Sequence, residues 1–172
     1  MSRLKSKLVK KILTAAAITV TACSDASLPA APEMPAQTAV APGQLVAAAM
    51  RATPLAGTAT ETKVIGPAGG EISLAGVTLS VPKGALDRPV AITATVPAGS
   101  SLQVEFAPHG LQFNAPFTLT FDGVQSSDVV GVYFEGDAGA FVRALQSFPT
   151  TTSGSSASFN SDHFSGYTMA VG

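Results

Sequence analysis

Apolar positions divide the chain into three unlike stretches. Residues 12–22 are an uncharged apolar run, "ILTAAAITVTA". Residues 24–60 are dominated by Ala, Pro, Thr and Ser and show neither a two-residue nor a 3.6-residue apolar period. After Thr62 a period of two takes over, the spacing of strands whose alternate side chains enter a core. Val77, Leu79 and Val81 alternate, then Val90, Ile92, Ala94 and Val96, then Leu102, Val104 and Phe106, then Phe117, Leu119 and Phe121. Glu71–Leu74 and Val77–Val81 read as a strand pair joined at Ala75-Gly76, with Pro82 and Gly84 in the following turn. "VVGVYFE" and "AFVRALQ" flank Gly136-Asp137-Ala138-Gly139, the composition of a hairpin loop. "SASFNS" and "GYTMAV" complete eight or more strands with no convincing helix among them. The expected fold class is all-β: an antiparallel β-sandwich preceded by a signal peptide and a disordered Ala/Pro-rich linker.

The first eleven residues, "MSRLKSKLVKK", are basic, and the apolar run after them is shorter than the roughly 20 residues that span a bilayer. The pair reads as a secretory signal with its charged end held on the cytoplasmic side. The run ends in Val20-Thr21-Ala22-Cys23, and Cys23 is the single cysteine of the chain. This tetrapeptide resembles the bacterial lipoprotein box. The resemblance implies a diacylglyceryl group on the Cys23 sulfur, cleavage before that residue, and acylation of the new amine. Ser24 stands where an inner-membrane retention signal has Asp, so the resemblance further implies the outer membrane of the cell envelope. The alternative is an ordinary signal peptide with an incidental cysteine. The expected division is 1–22 signal peptide, 23–61 lipidated Cys23 and flexible spacer, and 62–172 the β-domain. "LVAAAMRA" within the spacer is too short for a stable isolated helix.

Charge and candidate chemistry remove several function classes. Beyond Cys23 there are five basic and eleven acidic residues, a net charge of −6 with no basic cluster, which argues against nucleic acid. Two histidines and one cysteine do not make a zinc site. Asp122, Asp128, Glu135 and Asp137 lie near expected loops, but their spacing matches no calcium loop. "TTTSGSSAS" lacks the Lys and following helix of a phosphate loop, and no Gly-x-Ser-x-Gly occurs. The expectation is no cofactor, no metal and no small-molecule substrate. The expected partners are the membrane, through Cys23, and an envelope or extracellular protein.

Three segments carry a second resemblance: Gly69-Gly70, then Val81-Pro82-Lys83-Gly84-Ala85-Leu86, then Pro108-His109-Gly110-Leu111-Gln112-Phe113-Asn114-Ala115-Pro116. With "HFSGY" near the end, this order is similar to the ZU-five domain of zonula occludens proteins, uncoordinated-five netrin receptors and ankyrins. The resemblance covers residues 62–172 and implies an antiparallel β-sandwich used in scaffolding and protein contact. Related domains cut themselves between Phe and Ser of His-Phe-Ser, matched here by His163, Phe164 and Ser165. The resemblance implies attack of the Ser165 hydroxyl on the Phe164 carbonyl, with His163 assisting proton transfer. Strand alternation puts His163 and Ser165 on one face and Phe164 on the other. Phe164 and Tyr167 are both expected in the core, yet they are three residues apart, so a bulge at Ser165-Gly166 with a strained peptide is expected. The other reading makes Phe164 an ordinary core residue and His163 an exposed edge residue. Two functions follow: a lipid-anchored, non-catalytic interaction or structural module, or a domain that cuts its own Phe164–Ser165 bond.

Overall fold

The computed structural model describes residues 39–135 and 139–171. Among these, fourteen strands and no helix occur. In chain order the first seven are β1 (Leu45–Ala47), β2 (Met50–Leu55), β3 (Ala59–Ile65), β4 (Gly70–Leu74), β5 (Val77–Val81), β6 (Val90–Val96) and β7 (Gly99–Ser101). The remainder are β8 (Gln103–Ala107), β9 (Gln112–Asp122), β10 (Val129–Phe134), β11 (Phe141–Phe148), β12 (Thr151–Ser153), β13 (Ser156–His163) and β14 (Gly166–Val171). All pairings are antiparallel. One sheet has the order β1-β11-β10-β14-β8-β6-β3, a second β12-β13-β9-β5-β4, and β2 pairs separately with β7.

The alternating residues enter one shared core, as their period requires. Ile72, Val77 and Leu79 from the five-stranded sheet are buried in the same cluster as Ile92, Val104 and Phe106 from the seven-stranded sheet. Both sheets are antiparallel and bury facing surfaces, consistent with the expected sandwich. The β4–β5 turn has positive φ at both central residues, 50° at Ala75 and 78° at Gly76. Such a turn matches the twist of the strands it joins. Arg51 of β2 reaches this turn, its guanidinium donating to the Ala75 carbonyl at 3.0 Å and to the Ser101 carbonyl at 3.2 Å.

The expected spacer boundary needs correction. Residues 1–38, including the expected signal peptide and Cys23, lie outside the described residues, but from Leu45 onward the segment assigned to the spacer forms β1, β2 and the start of β3. The strands were hidden because they lack alternation. β2 has no fully buried residue, and β3, at the edge of its sheet, buries only Ile65 completely. Main-chain pairing with neighbours remote in sequence overrides weak local patterning there.

β1 also closes a second core. It pairs with β11, β11 with β10, β10 with β14, and an Ala48–Ala170 bridge returns from β14 to the residue after β1. The Ala49 N–H donates to the Met169 carbonyl at 2.6 Å, and the Ala49 carbonyl accepts from Leu102 at 2.8 Å. Inside this ring Val46, Val130, Val132, Phe134, Val142 and Ala170 are buried together. β10 and β14 therefore bury both of their faces, which is why "VVGVYF" and "GYTMAV" read as nearly continuous apolar runs.

The phase problem between Phe164 and Tyr167 has a different solution from the expected bulge. The chain leaves the five-stranded sheet at His163 and enters the seven-stranded sheet at Gly166. Phe164 enters the common core from the passage and Tyr167 from the seven-stranded sheet, so they need share no register. The irregularity of β13 lies earlier, between Ser161 and His163 opposite β9.

Gly131 of β10 sits beneath an aromatic stack. A Cβ there would stand 2.3 Å from a ring carbon of Phe159. Phe159 is buried and stacks on Phe148 with centroids 4.9 Å apart, so it has nowhere to move. Gly131→Ala is expected to destabilise the domain by about 1–3 kcal/mol, read as a lower urea midpoint. Val64→Ala, at a site 65% exposed, is the control and is expected to shift stability by less than about 0.5 kcal/mol.

Candidate functional site

The crossing between sheets is pinned by main-chain hydrogen bonds. The Phe164 N–H donates to the Leu111 carbonyl at 2.9 Å, and the Phe164 carbonyl accepts from Gly110 N–H at 3.1 Å. The Ser165 carbonyl accepts from Phe106 N–H at 3.1 Å. The Phe164 ring stacks on Phe106 at 4.8 Å and meets the edges of Phe113 and Phe117 at 4.8 and 5.4 Å. Aromatic contacts of this kind add roughly 0.5–1.5 kcal/mol each beyond their buried area.

The three motif segments and the tripeptide meet at this corner. Gly84 N–H donates to the Pro67 carbonyl at 2.9 Å, and Asn114 N–H to the Ala85 carbonyl at 2.9 Å. Gly69 has φ of 77°, and a Cβ on it would lie 2.5 Å from the Val81 carbonyl oxygen, so only glycine fits against that turn. Gly110 and Leu111 then clasp Phe164.

Outside the crossing lies an open cleft of about 700 Å³. Glu105, His109, Gln112, Tyr133, Glu135, His163 and Ser165 are among its lining residues. Both histidines of the chain are thereby brought together, His109 from an exposed turn and His163 from the end of β13. His163 Nδ1 lies 3.1 Å from Asp162 Oδ1, a pairing that leaves Nε2 as the acceptor when the ring is neutral. The His163 carbonyl accepts from the Tyr167 hydroxyl, which also lies 3.0 Å from Ser161 Oγ. Ser165 is 5% exposed, and its hydroxyl donates to the Phe134 carbonyl at 3.3 Å.

The resemblance names His163, Phe164 and Ser165, and the structure places them as alternation requires. His163 and Ser165 border the cleft, while the Phe164 ring is buried in the core. The hydroxyl of Ser165 is not directed at His163. Neither Phe164 nor Ser165 has positive φ; among the described residues Ala75 is the only non-glycine that does. Tyr133 and Glu135 join the site from β10 and the residue beyond it, a contribution missed in the sequence. Their i, i+2 spacing on a strand places them on one face, and the Tyr133 hydroxyl donates to Glu135 Oε1 at 2.5 Å. The described residues hold no group of three or more His, Cys, Asp or Glu side chains placed for a metal ion. Asp137, weighed above with the loop acids, is outside the described residues, as is Cys23. No protein-family model matches the chain, and no curated protein is significantly similar to it.

The hydrogen bond to Glu135 raises the Tyr133 pKa above the ordinary value, with burial adding to it and Ser165 opposing. Burial raises Tyr167 further, with Ser161 opposing. A phenol whose folded pKa is raised stabilises the fold fully below the unfolded value of about 10 and loses that contribution as pH climbs through the folded value. Alkaline unfolding is therefore expected to begin above about pH 10. Tyr167→Phe is expected to flatten the loss of stability with pH in that range, measured by urea melts at successive pH values. An unchanged slope would separate Tyr167 from the alkaline transition.

Proposed function

We propose that the β-domain is a non-catalytic interaction or structural module of ZU-five type, held on the bacterial cell envelope, at the outer membrane, by a lipid on Cys23. The observation that carries this reading is the Ser165 hydroxyl's engagement with the Phe134 carbonyl of the adjacent sheet strand. The one chemically suggestive tripeptide is occupied in holding the sheets together. Its partner class is another envelope or extracellular protein, because the site presents carboxylates, imidazoles and a phenol rather than a cofactor cradle or a basic phosphate site.

One observation favours self-cleavage on the same fold. Gly110 N–H donates to the Phe164 carbonyl, and a donor so placed would stabilise an oxyanion formed there. In that reaction Ser165 Oγ adds to the carbonyl carbon, the C–N bond breaks, and the amine takes the proton. Water then hydrolyses the ester, leaving a Phe164 carboxylate and a free Ser165 hydroxyl and amine. Intact mass under denaturing conditions separates the two functions. The non-catalytic reading expects one uncut mature species. A mass ending at Phe164, abolished by Ser165→Ala and retained in Thr151→Ala, would replace it with self-cleavage. The anchor is tested independently by incorporation of labelled fatty acid, expected in the natural chain and absent in Cys23→Ala.

A further inference from the structure

β1 and β11 present an apolar face to solvent. Leu45 is 64% exposed and Phe141 65% exposed. Their register pairs Leu45 with Arg143 and Ala47 with Phe141, so Leu45 and Phe141 are diagonal neighbours on the outward face. Val46 and Val142, one position along, point into the ring core instead. Val171, 45% exposed, follows Ala170, whose bridge to Ala48 brings it to the same end. Large apolar side chains grouped in this way mark a contact surface, unlike the scattered single residues of ordinary surfaces.

The charge pattern and the position of this face define what it meets. Residues 39–49, β11 and β14 contain no Asp or Glu, and Arg143 is the single charged side chain among them. Every acidic residue of the described chain lies outside these segments. The β1 half of the face follows Ala39, the first described residue, which lies sixteen residues after Cys23. A chain of that length reaches at most about 55 Å when fully extended, so the tether allows the face to return to the surface that holds the lipid.

We infer that the outward face of the β1–β11 pair, Leu45 and Phe141 with Arg143, seats on the lipid surface to which Cys23 is anchored. This inference rests on the lipid-anchor reading. The apolar tips enter the headgroup boundary while Arg143 meets anionic lipid phosphates. The domain is thereby held with one side down, and the β3 edge, at the other end of the seven-stranded sheet, faces away.

The chain contains no tryptophan, so an introduced indole is an unambiguous reporter. Phe141→Trp and, at the far edge, Val64→Trp are purified as mature acylated protein and bound to vesicles of phosphatidylethanolamine and phosphatidylglycerol. Flotation with the vesicles reads the anchor alone. The expected result is flotation of both variants, with emission shifted to shorter wavelength and quenched by brominated acyl chains only for Phe141→Trp. Flotation with neither indole quenched, or both quenched alike, overturns the seating while leaving the anchor intact. A short-wavelength shift of Phe141→Trp already present in the unacylated Cys23→Ala chain, without vesicles or detergent, assigns the face to contact between copies and also overturns it. Failure to float removes the anchor and the seating together.

Discussion

Near its end the chain must leave one sheet and enter the middle of the other, and the rest of the structure is arranged around that passage. β13 belongs to the five-stranded sheet, and β14 is hydrogen-bonded between β10 and β8 in the seven-stranded one. Two residues, Phe164 and Ser165, make the passage, and their main-chain groups are clasped by Gly110, Leu111 and Phe106. The Phe164 ring then locks the corner against three other phenylalanines. Because a central strand comes from the end of the chain, neither core is complete without it: Tyr167 and Met169 fill the shared core, and Ala170 closes the ring. A fold built so heavily on distant pairings gains its cooperativity late, since loop closure must precede the contacts that offset it.

The N-terminal closure depends on the same strand. Ala48 and Ala49 take hydrogen-bonding positions along β14 beyond the point where β8 ends its pairing. This segment can dock there because its inward residues are small or β-branched, Val46 of β1 and Ala48 just after it. Larger side chains would not fit a ring of only four strands, whose interior is filled by Val130, Val132, Val142 and one aromatic, Phe134. The stretch from Leu45 that the sequence assigned to a spacer is thus part of the domain, and the residues before Ala39 lie outside the described residues.

Strands with one buried face were legible because alternation is a direct consequence of that geometry. β5 and β6 have the bounds that their apolar period predicts. β1, β2, β3, β7 and β12 were not legible, since each is short, exposed or composed of small residues, and their pairing partners are fixed by the tertiary arrangement. At the site, His163, Phe164 and Ser165 stood out as a contiguous motif. Glu105, His109, Tyr133 and Glu135 reach the cleft only through strand order, which a single sequence does not display. The misplaced bulge has the same origin. A break in alternation announces that the chain changes its environment, but a bulge within one sheet and a move to another sheet leave the same mark on the sequence.

The passage also decides what a broken Phe164–Ser165 bond would mean. β14 is paired along both edges, from Gly166 to Val171 with β10 and from Gly166 to Thr168 with β8. Its residues from Gly166 to Ala170 are buried. The Thr168 hydroxyl adds a bond of 2.8 Å to the Leu102 carbonyl. Cleavage would remove one covalent link while leaving these interactions in place, so the fragment would remain as a strand until the whole domain unfolded. Cutting would therefore serve mechanical or unfolding-linked release rather than the opening of a new surface. The clasp that holds the uncut chain and the scaffold that would retain the cut one are the same set of hydrogen bonds and rings. In the fold described the Ser165 hydroxyl donates to the Phe134 carbonyl, so attack on Phe164 would first require that bond to break.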